Sequence, residues 1–273
     1  MGNTLQQQII NIPEILLATV LKRRIRAEIT VNEPGVMHGI ELLVQKARDL
    51  GLEATAHVNS GASLTSGQKI ASLQGDPVRI ITGEDHLLSP ISKASGIATM
   101  ARKAVEQAGR IRVVSGGWKK IPQEMKEIAR AALQSGGVGM RILDQPFLYL
   151  DKNYLRVFGS VNALLKAAAA LPDRAVSVQI RGETAPIGDE AVEAAFVGAK
   201  VIMVDTGKIA DLRTCSKQLK DTNLRDRVKL AFAGEVRVAD LPALRREDID
   251  IVDIGKAILD APLLDFRYDV IKE

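Results

Sequence analysis

Apolar runs of strand length recur six times after residue 110, and a segment with helical spacing usually follows. The runs span residues 111–114, 147–150, 176–180, 201–204, 228–232 and 249–254. Because apolar residues dominate these runs without strict alternation, both faces of each strand should be covered. Continuous apolar strands that alternate with helices are typical of a parallel sheet in an α/β fold. The pattern therefore predicts a parallel α/β barrel in the second part of the chain.

Polar or glycine residues end most of these runs. They are Ser115-Gly116-Gly117, Asp151, Asp205, Gly234-Glu235 and Gly255-Lys256. In a closed parallel barrel, the residues that follow the carboxyl ends of the strands converge on one mouth, where the active site lies. The order of these residues along the chain therefore predicts one candidate site at the strand ends.

The first hundred residues follow a different pattern. Strands are predicted at residues 24–31, 53–59, 69–74 and 78–82, and residues 37–50 have the spacing of an amphipathic helix. Strands clustered around few helices indicate an α+β domain. A long helical stretch over residues 91–109 joins the two patterns. We therefore expect an N-terminal α+β domain over residues 1–105 and a barrel domain over residues 106–273.

The composition is that of a globular chain with an aliphatic core. Of the 273 residues, 46% are hydrophobic and only 3% are aromatic. The single cysteine, Cys215, excludes an internal disulfide framework and suits a reducing compartment. We find no signal-peptide pattern and no run near the ~20 apolar residues that span a bilayer. These features predict a soluble, cytoplasmic protein without a membrane partner.

The chain carries a formal net charge of +4, but its basic residues are spread along the whole sequence. The largest cluster is Lys22-Arg23-Arg24 with Arg26, and no aromatic residues are interleaved for base stacking. A solvated basic surface is the favoured interpretation, and nucleic acid is not an expected partner. The charge is equally compatible with a small anionic ligand.

Several short segments resemble a known family. Residues 76–84 are DPVRIITGE, and residues 95–99 are SGIAT. Residues 198–205, GAKVIMVD, are similar to a GADIVMLDN strand, and Asp253-Ile254-Gly255 with Ala261-Pro262 are similar to a final strand and turn. In this order and spacing they resemble the quinolinate phosphoribosyltransferases, also called nicotinate-nucleotide pyrophosphorylases. The resemblance covers about residues 25 to 265.

The resemblance implies a fold and a reaction. The fold would be an N-terminal α+β sandwich followed by an incomplete parallel α/β barrel of about seven strands. The protein would be a homodimer whose sites draw residues from both subunits. Family members join phosphoribosyl pyrophosphate to quinolinate with magnesium and release carbon dioxide and pyrophosphate. Such a reaction needs cations around the phosphates and carboxylates, and a negative group near the sugar.

Many of the residues that the family uses are replaced in this chain. The replacements are Asp85 for the arginine after TGE, Trp118 for the arginine of TRKTTPG, Met140 for the histidine of GGGxxHR, Leu150 for the lysine of KDNH, Ser177 and Gln179 for the glutamates of EVE, and Ala233-Gly234-Glu235 for SGG. A dicarboxylate site normally uses several charge-assisted bonds of ~1.5–3 kcal/mol each. We therefore expect quinolinate to bind poorly, since Asp85 would repel it.

The remaining residues define a candidate anion site. They are Lys119, Arg141, Asp151, Asp205, Gly234 and Gly255, to which we add Lys256 and Trp118. The cations would bind phosphate, Trp118 would stack on a planar acceptor, and Asp205 is the candidate magnesium ligand through phosphoribosyl pyrophosphate. We also expect Glu235 to face Lys256 or another cation. No catalytic residue is assigned.

Each of these residues also has a structural interpretation. Lys119 could be solvated, Arg141 could pair with Asp144 or Asp151, and Asp205 could cap the following helix. Trp118 could be a packing residue. Residue types at strand ends do not decide between these roles.

Three functions remain open at this point. The first is a phosphoribosyltransferase-like enzyme that acts on a ligand other than quinolinate. The second is a regulatory or ligand-binding homologue that has lost the chemistry. The third is a different reaction in the same barrel, such as a Schiff-base aldolase, which would need a desolvated lysine near the mouth. Lys229 lies in a predicted strand but toward its start, so the third function has the least support.

Overall fold

The computed structural model describes residues 12–272, apart from the side chain of Trp118. The chain forms two compact units. The first combines the chain up to Gly96 with the final segment from Pro262, and the second spans Ile97–Ala261.

The helices, in chain order, are α1 (Ile12–Leu16), α2 (Ile40–Asp49), α3 (Pro77–Ala108), α4 (Lys126–Ser135), α5 (Lys152–Phe158), α6 (Val161–Ala168), α7 (Ile187–Val197), α8 (Ile209–Asp221), α9 (Leu241–Leu244) and α10 (Lys256–Leu259). The strands are β1 (Ile25–Val31), β2 (Gly35–Val36), β3 (Glu53–Ala56), β4 (Ser63–Leu64), β5 (Lys69–Gly75), β6 (Arg112–Val114), β7 (Phe147–Leu150), β8 (Ala175–Ile180), β9 (Val201–Asp205), β10 (Lys229–Ala233), β11 (Ile251–Asp253) and β12 (Phe266–Ile271). Short 3-10 helices lie at Gly117–Lys120, Gln123–Met125, Arg225–Arg227 and Val238–Asp240.

The first unit is an antiparallel sheet with helices packed against it. Its strand order is β12-β1-β5-β3, and neighbouring strands run antiparallel. Alternate residues of β1, among them Ile29 and Val31, are fully buried. Helix α2 packs against them because Ile40, Leu43 and Ala47, spaced three and four residues apart, form one apolar stripe. The α+β character predicted for this part of the chain is confirmed.

Residues 78–82 are helical, so the strand predicted there is wrong. Their β-branched side chains favour a strand locally, but the segment lies in α3. Ile80, Leu87 and Ile91 join the core of the first unit, and their spacings of seven and four residues place them on one helical face. Burial of this stripe outweighs a weak local propensity. The second half of α3 confirms the helix predicted over residues 91–109.

Asp76 and Pro77 start α3. The Asp76 Oδ1 atom accepts a hydrogen bond from the Arg79 backbone N–H at 3.0 Å, which is the contact of a helix N-cap. Pro77 is the first helical residue, a position that needs no backbone donor and suits the fixed φ of proline. An Asp-Pro pair is also typical of a turn, but here it starts a helix.

The last strand belongs to the first unit. Strand β12 pairs with β1, in a register that runs from Val31 opposite Phe266 to Arg26 opposite Ile271. The division proposed above, residues 1–105 and 106–273, placed this segment in the barrel. The structure instead begins the second unit at Ile97 and returns the chain to the first unit from Pro262. Pairing between strands from opposite ends of a chain leaves no local signal in the sequence.

The second unit is the predicted parallel barrel. Its sheet has the order β6-β11-β10-β9-β8-β7, all neighbouring strands are parallel, and the six strands coincide with the six apolar runs. On the inner face, Met203, Ala231 and Ile251 pack with Ile142 in a buried cluster. A seventh strand is absent from the described residues, where Gly139 makes only an isolated parallel bridge beside β6. The sheet is therefore a curled half-barrel.

Within residues 12–272, no helix is both long and apolar enough to cross a bilayer.

Replacing Asp76 tests the helix start. We expect Asp76→Ala to lower the free energy of unfolding by about 1 kcal/mol, because the first turn of α3 loses its capping oxygen. Asp76→Asn keeps that oxygen and removes only the exposed ion pair with Arg79, so it should cost a few tenths of a kcal/mol. Urea denaturation of both variants measures the difference. Equal costs for Asp76→Ala and Asp76→Asn would show that the ion pair, rather than the cap, starts the helix.

Candidate functional site

The carboxyl ends of β6 to β11 form what we call the barrel mouth. Side chains alternate between the two faces of a strand, and Met203 and Ile251 belong to the inner cluster. Asp205 and Asp253 lie two residues further along the same strands. Both carboxylates therefore continue the inward-facing rows into the mouth. Tyr149 of β7 packs against the same inner cluster.

Asp205 is held by two neighbours from β8 and its following loop. The amide of Gln179 donates to Asp205 Oδ2. Arg181 Nε lies 2.9 Å from the Asp205 carbonyl oxygen and 3.2 Å from Oδ2. The side-chain oxygen of Gln179, Oε1, accepts from the Lys152 backbone N–H at 3.0 Å, and this hydrogen bond fixes the orientation of the side-chain amide. Asp205 is therefore neutralised by a guanidinium and bridged to the start of α5.

A buried carboxylate fixes the loop that carries Arg181. Glu190, in the first turn of α7, is fully buried. Its oxygens accept from the backbone N–H groups of Arg181 at 3.2 Å, Gly182 at 2.7 Å and Thr184 at 2.8 Å, and from the Thr184 hydroxyl at 2.8 Å. A buried charge is tolerated when hydrogen bonds satisfy it in this way. Glu190 therefore positions the backbone of Arg181.

Asp253 has a different environment from Asp205. Burial raises the pKa of its carboxyl, and the charge of Asp205 raises it further. The Gly116 N–H, which donates to Asp253 Oδ1 at 3.0 Å, and the charge of Lys119 lower the pKa in part. Asp253 is therefore less readily ionised than an ordinary aspartate.

Tyr149 is near both the cation Lys119 and the carboxylates of the mouth. The Lys119 ammonium is 5.1 Å from the centre of its ring, within the range of a cation–π contact. Burial first, and then the charges of Asp253, Asp205 and Asp151, raise the pKa of the Tyr149 hydroxyl. The hydroxyl therefore stays protonated at neutral pH and is a hydrogen-bond donor.

Glycines let the loops of the mouth approach closely. A Cβ atom added to Gly234 would lie 2.3 Å from the Gly207 nitrogen, and one added to Gly117 would lie 2.6 Å from the Gly255 Cα. Gly234 also has a φ of +106°. The ends of β9 and β10, and those of β6 and β11, are therefore in backbone contact, which no larger residue would permit.

The other predicted site residues lie in separate environments. Asp151 caps α5, where Oδ1 accepts from Asn153 N at 2.9 Å and Tyr154 N at 3.3 Å. Lys256 is exposed and pairs with Asp260 of its own helix at 3.2 Å. Glu235 is exposed, and among residues 12–272 it forms no ion pair with Lys256 or another cation. Trp118 lies in a 3-10 helix, and its side chain is outside the described residues.

Arg141 and Lys119 contact different aromatic rings of β7. The Arg141 guanidinium is 5.3 Å from the ring centre of Phe147, at the start of β7. Asp144, a predicted partner of Arg141, instead binds Arg112 at 2.6 and 3.1 Å. Lys119 and Arg141 thus contact rings two residues apart on one strand, without a common hydrogen-bond network in the described chain. A shared anion site for the two cations stays a prediction.

Sequence reasoning did not assign roles to Arg181, Asp253, Tyr149 or Glu190. The signal available was the alternation within strands, which places Tyr149, Asp205 and Asp253 in inward-facing rows. Glu190 and Arg181 carry no such signal, because their partners are set by the loop between them.

The donor set of the mouth does not form a dedicated metal site. No group of three or more His, Cys, Asp or Glu residues that could hold a metal ion occurs in the described part of the chain. Asp205 is already paired with Arg181 and Gln179. The magnesium contact predicted for Asp205 would need oxygens from a ligand, and it stays a prediction.

A cavity of about 610 Å³ lies at the opposite, amino-terminal ends of the strands. It is lined by charged residues that mostly pair with one another, including Arg225 with Asp248 at 2.8 Å and with Asp250 at 2.9 Å. Barrel enzymes place their chemistry at the carboxyl ends and use the amino ends for stability. The mouth is therefore favoured as the site because it lies at the carboxyl ends of the strands. The charged residues that line the cavity mostly pair with one another, so its volume does not by itself make it the site.

Fold and site together define a protein of the α/β-barrel class, in which both chain ends build an additional antiparallel unit. The chain belongs to the quinolinate phosphoribosyl transferase family. The C-terminal domain of that family matches residues 97–269, and its N-terminal domain matches residues 15–95.

Relatives and solved structures agree with this assignment. Nicotinate-nucleotide pyrophosphorylase (carboxylating) of Rattus norvegicus is 27% identical over 259 residues, which cover 91% of this chain and 82% of that protein. The Homo sapiens protein of the same name is 26% identical over 245 residues, covering 88% and 80%. The nicotinate-nucleotide pyrophosphorylase structure from Pyrococcus furiosus has a TM-score of 0.81 at 20% identity, covering 95% of this chain and 72% of that chain. The one from Francisella tularensis has a TM-score of 0.80 at 19% identity, covering 94% and 90%. The structural matches establish the fold.

Gly234 and Gly198 form a matched pair for testing the close approach at the mouth. Both have a strongly positive φ, +106° and +112°, but only an added Cβ at Gly234 would strike backbone atoms. We expect Gly198→Ala to cost about 1–3 kcal/mol from φ strain alone, and Gly234→Ala to cost a further ~1–3 kcal/mol from overpacking. Thermal and urea unfolding measure both. Equal destabilisation would show that the loops around Gly207 and Gly234 can separate freely.

Asp253→Asn tests the burial of that carboxyl. Because the pKa of Asp253 is raised in the folded state, the folded protein favours the protonated carboxyl. This carboxyl therefore contributes its full stability only below the ordinary pKa of ~3.9, and the contribution is lost as the pH rises through the raised pKa. Asparagine keeps the oxygen that accepts from Gly116 and never ionises. We expect a higher melting temperature than wild type at pH 8, by about 2–4 °C per kcal/mol gained, and a difference that shrinks toward pH 4. The exposed Asp260→Asn should show no such gain, and a gain at Asp253 that is independent of pH would contradict the assignment.

Proposed function

We propose that this protein is a phosphoribosyltransferase-like enzyme whose barrel mouth binds a small phosphorylated ligand, and that its acceptor is not quinolinate. The observation that carries the proposal is the arrangement at Asp205, where a carboxylate of the mouth is held against the Arg181 guanidinium. Family membership supplies the reaction class. The family is named for quinolinate, which is the acceptor from which this chain is expected to differ.

The mouth supplies groups suited to a phosphorylated sugar. Lys119 is exposed and Arg181 is partly exposed, so both can meet phosphate oxygens. Asp205 and Asp253 would face positive charge that develops on the sugar.

In the proposed transfer, the bond from the sugar C1 atom to pyrophosphate breaks as pyrophosphate leaves with the electron pair. A lone pair of the acceptor forms the new bond to C1. The protonated Tyr149 hydroxyl can donate to the departing oxygen.

The positions that differ from the family do not offer quinolinate its expected cations. Leu150 is 7% exposed and carries no charge, and Asp85, whose position would reach the neighbouring subunit's ligand according to the family resemblance, is an exposed acidic residue of α3. A ligand with two carboxylates would lose several charge-assisted hydrogen bonds in such a site. An acceptor with fewer negative charges fits the proposal better.

A ligand-binding homologue without catalysis is the alternative. It is favoured by Gln179, which cannot supply negative charge, and by the raised pKa of Asp253. Both reduce the negative charge available to a cationic transition state. An aldolase-like reaction has less support, because Lys229 is 62% exposed at the amino end of β10 and lies 3.6 Å from Asp250. The homodimer implied by the resemblance and the cytoplasmic location inferred from the composition stay predictions.

The function is tested by binding and turnover together. We expect calorimetry to detect binding of phosphoribosyl pyrophosphate, and we expect Lys119→Met to weaken it about tenfold, which corresponds to ~1.4 kcal/mol. The neighbouring exposed Lys120→Met is the matched control and should leave the Kd unchanged. With quinolinate as acceptor, formation of nicotinate mononucleotide should stay far below the ~1 per second of ordinary enzymes. Turnover near that rate would contradict the proposed acceptor, and binding without transfer to any planar acid would favour the alternative.

A further inference from the structure

Arg181 has hydrogen-bond donors at the mouth that no described residue accepts from. Its Nε is engaged with Asp205, but its terminal nitrogens make no hydrogen bond to another described residue. The nearest acid, Glu183, has Oε1 at 3.9 Å from Nη1 and is already bound by Arg156 at 2.6 and 2.7 Å. The side chain of Arg181 is 33% exposed. The outer edge of this guanidinium is therefore available for a ligand.

The position of Arg181 is fixed from both sides. Glu190 binds the backbone of the loop that begins at Arg181, and Asp205 binds the side chain. Gln179 cannot compete for the guanidinium, because its amide group faces Asp205 and its oxygen accepts from Lys152. The cation is thus pre-organised before any ligand arrives, which reduces the entropy lost on binding.

A divalent metal would meet poor conditions at the same carboxylate. Mg²⁺ prefers several oxygen ligands at about 2.0–2.1 Å with near-octahedral geometry. At Asp205, an approaching metal would face an arginine that stays charged at all relevant pH values, together with the NH₂ group of Gln179. The guanidinium fork, in contrast, matches the spacing of two phosphate oxygens.

We propose that Arg181 supplies at Asp205 the positive charge that a divalent metal would otherwise provide, so that the barrel mouth binds a phosphate-bearing anion without a divalent metal. This inference rests on the proposed function, because it concerns the same mouth and the same class of ligand. It adds a specificity-determining residue, Arg181, and a mode of binding that depends on the protein's own cation.

Inorganic pyrophosphate is the probe for this proposal. Calorimetric titration of the full-length wild-type chain should give a Kd in EDTA within about threefold of the Kd in excess magnesium chloride. Arg181→Met should weaken binding in EDTA at least tenfold, and Arg181→Lys, which keeps the charge but loses the fork, should fall between the two. Arg174→Met removes an equal charge beside the opposite end of β8, and it should bind as the wild type does. Circular dichroism melts establish that each variant is folded.

A double variant tests the converse, that pyrophosphate binding depends on magnesium once Arg181 is removed and a second carboxylate is added. Gln179→Glu with Arg181→Ala places two carboxylates at neighbouring strand ends and removes the guanidinium. We expect this variant to bind pyrophosphate at least tenfold more tightly in magnesium than in EDTA, the reverse of the wild-type pattern.

The outcomes separate this proposal from the proposed function. Wild-type binding that requires magnesium, or Arg181→Met binding as tightly as wild type in EDTA, would overturn the role of Arg181 while leaving a phosphate-binding mouth. Absence of pyrophosphate binding with and without magnesium would overturn both.

Discussion

The two-residue alternation of side chains along the parallel strands determines what reaches the barrel mouth. Residues of neighbouring strands lie level across the sheet, as Asp205 does with Ala233. Val204 and Val252 are buried on the outer face, whereas the residues that follow them face inward. A polar residue at the end of an inward row therefore enters the mouth without help from a loop. The strands themselves place Asp205 and Asp253, and the remaining groups are arranged around those two carboxylates.

The loops at the mouth depend on two physical devices. One is the absence of a side chain where backbones touch, as at Gly207 and Gly234. The other is the fully buried carboxylate of Glu190, whose four hydrogen bonds replace the water that a loop would otherwise use. An uncompensated charge at that depth would be very unfavourable, so the loop geometry and the charge of Glu190 require one another. This mutual dependence holds Arg181 in place.

The sequence predicted most of the strands of the barrel but fewer of the elements of the first unit. Each barrel strand is largely covered on both faces, so it appears as a mostly apolar run that can be recognised without knowledge of its neighbours. Strand β12 has no such signature, because one of its faces is exposed and its partner β1 lies at the other end of the chain. The start of α3 was misread because β-branched residues dominate a five-residue window, whereas the burial pattern that decides the helix extends to Ile91.

The sequence predicts which strand ends form the mouth, but not the contacts that its side chains make there. Strand ends can be counted from the apolar runs, whereas ion pairs depend on which strands become neighbours. Asp205 and Arg181 are 24 residues apart and meet only because β8 and β9 are adjacent. Because β8 and β9 are adjacent, Gln179 of β8 and Arg181 of the following loop both contact Asp205 of β9. Gln179 is uncharged, and its amide group faces Asp205. With glutamine there, the guanidinium serves one carboxylate and keeps its remaining donors. The amide at 179 and the arginine at 181 therefore both contact one carboxylate, Asp205, and the Arg181 side chain remains partly exposed at the mouth.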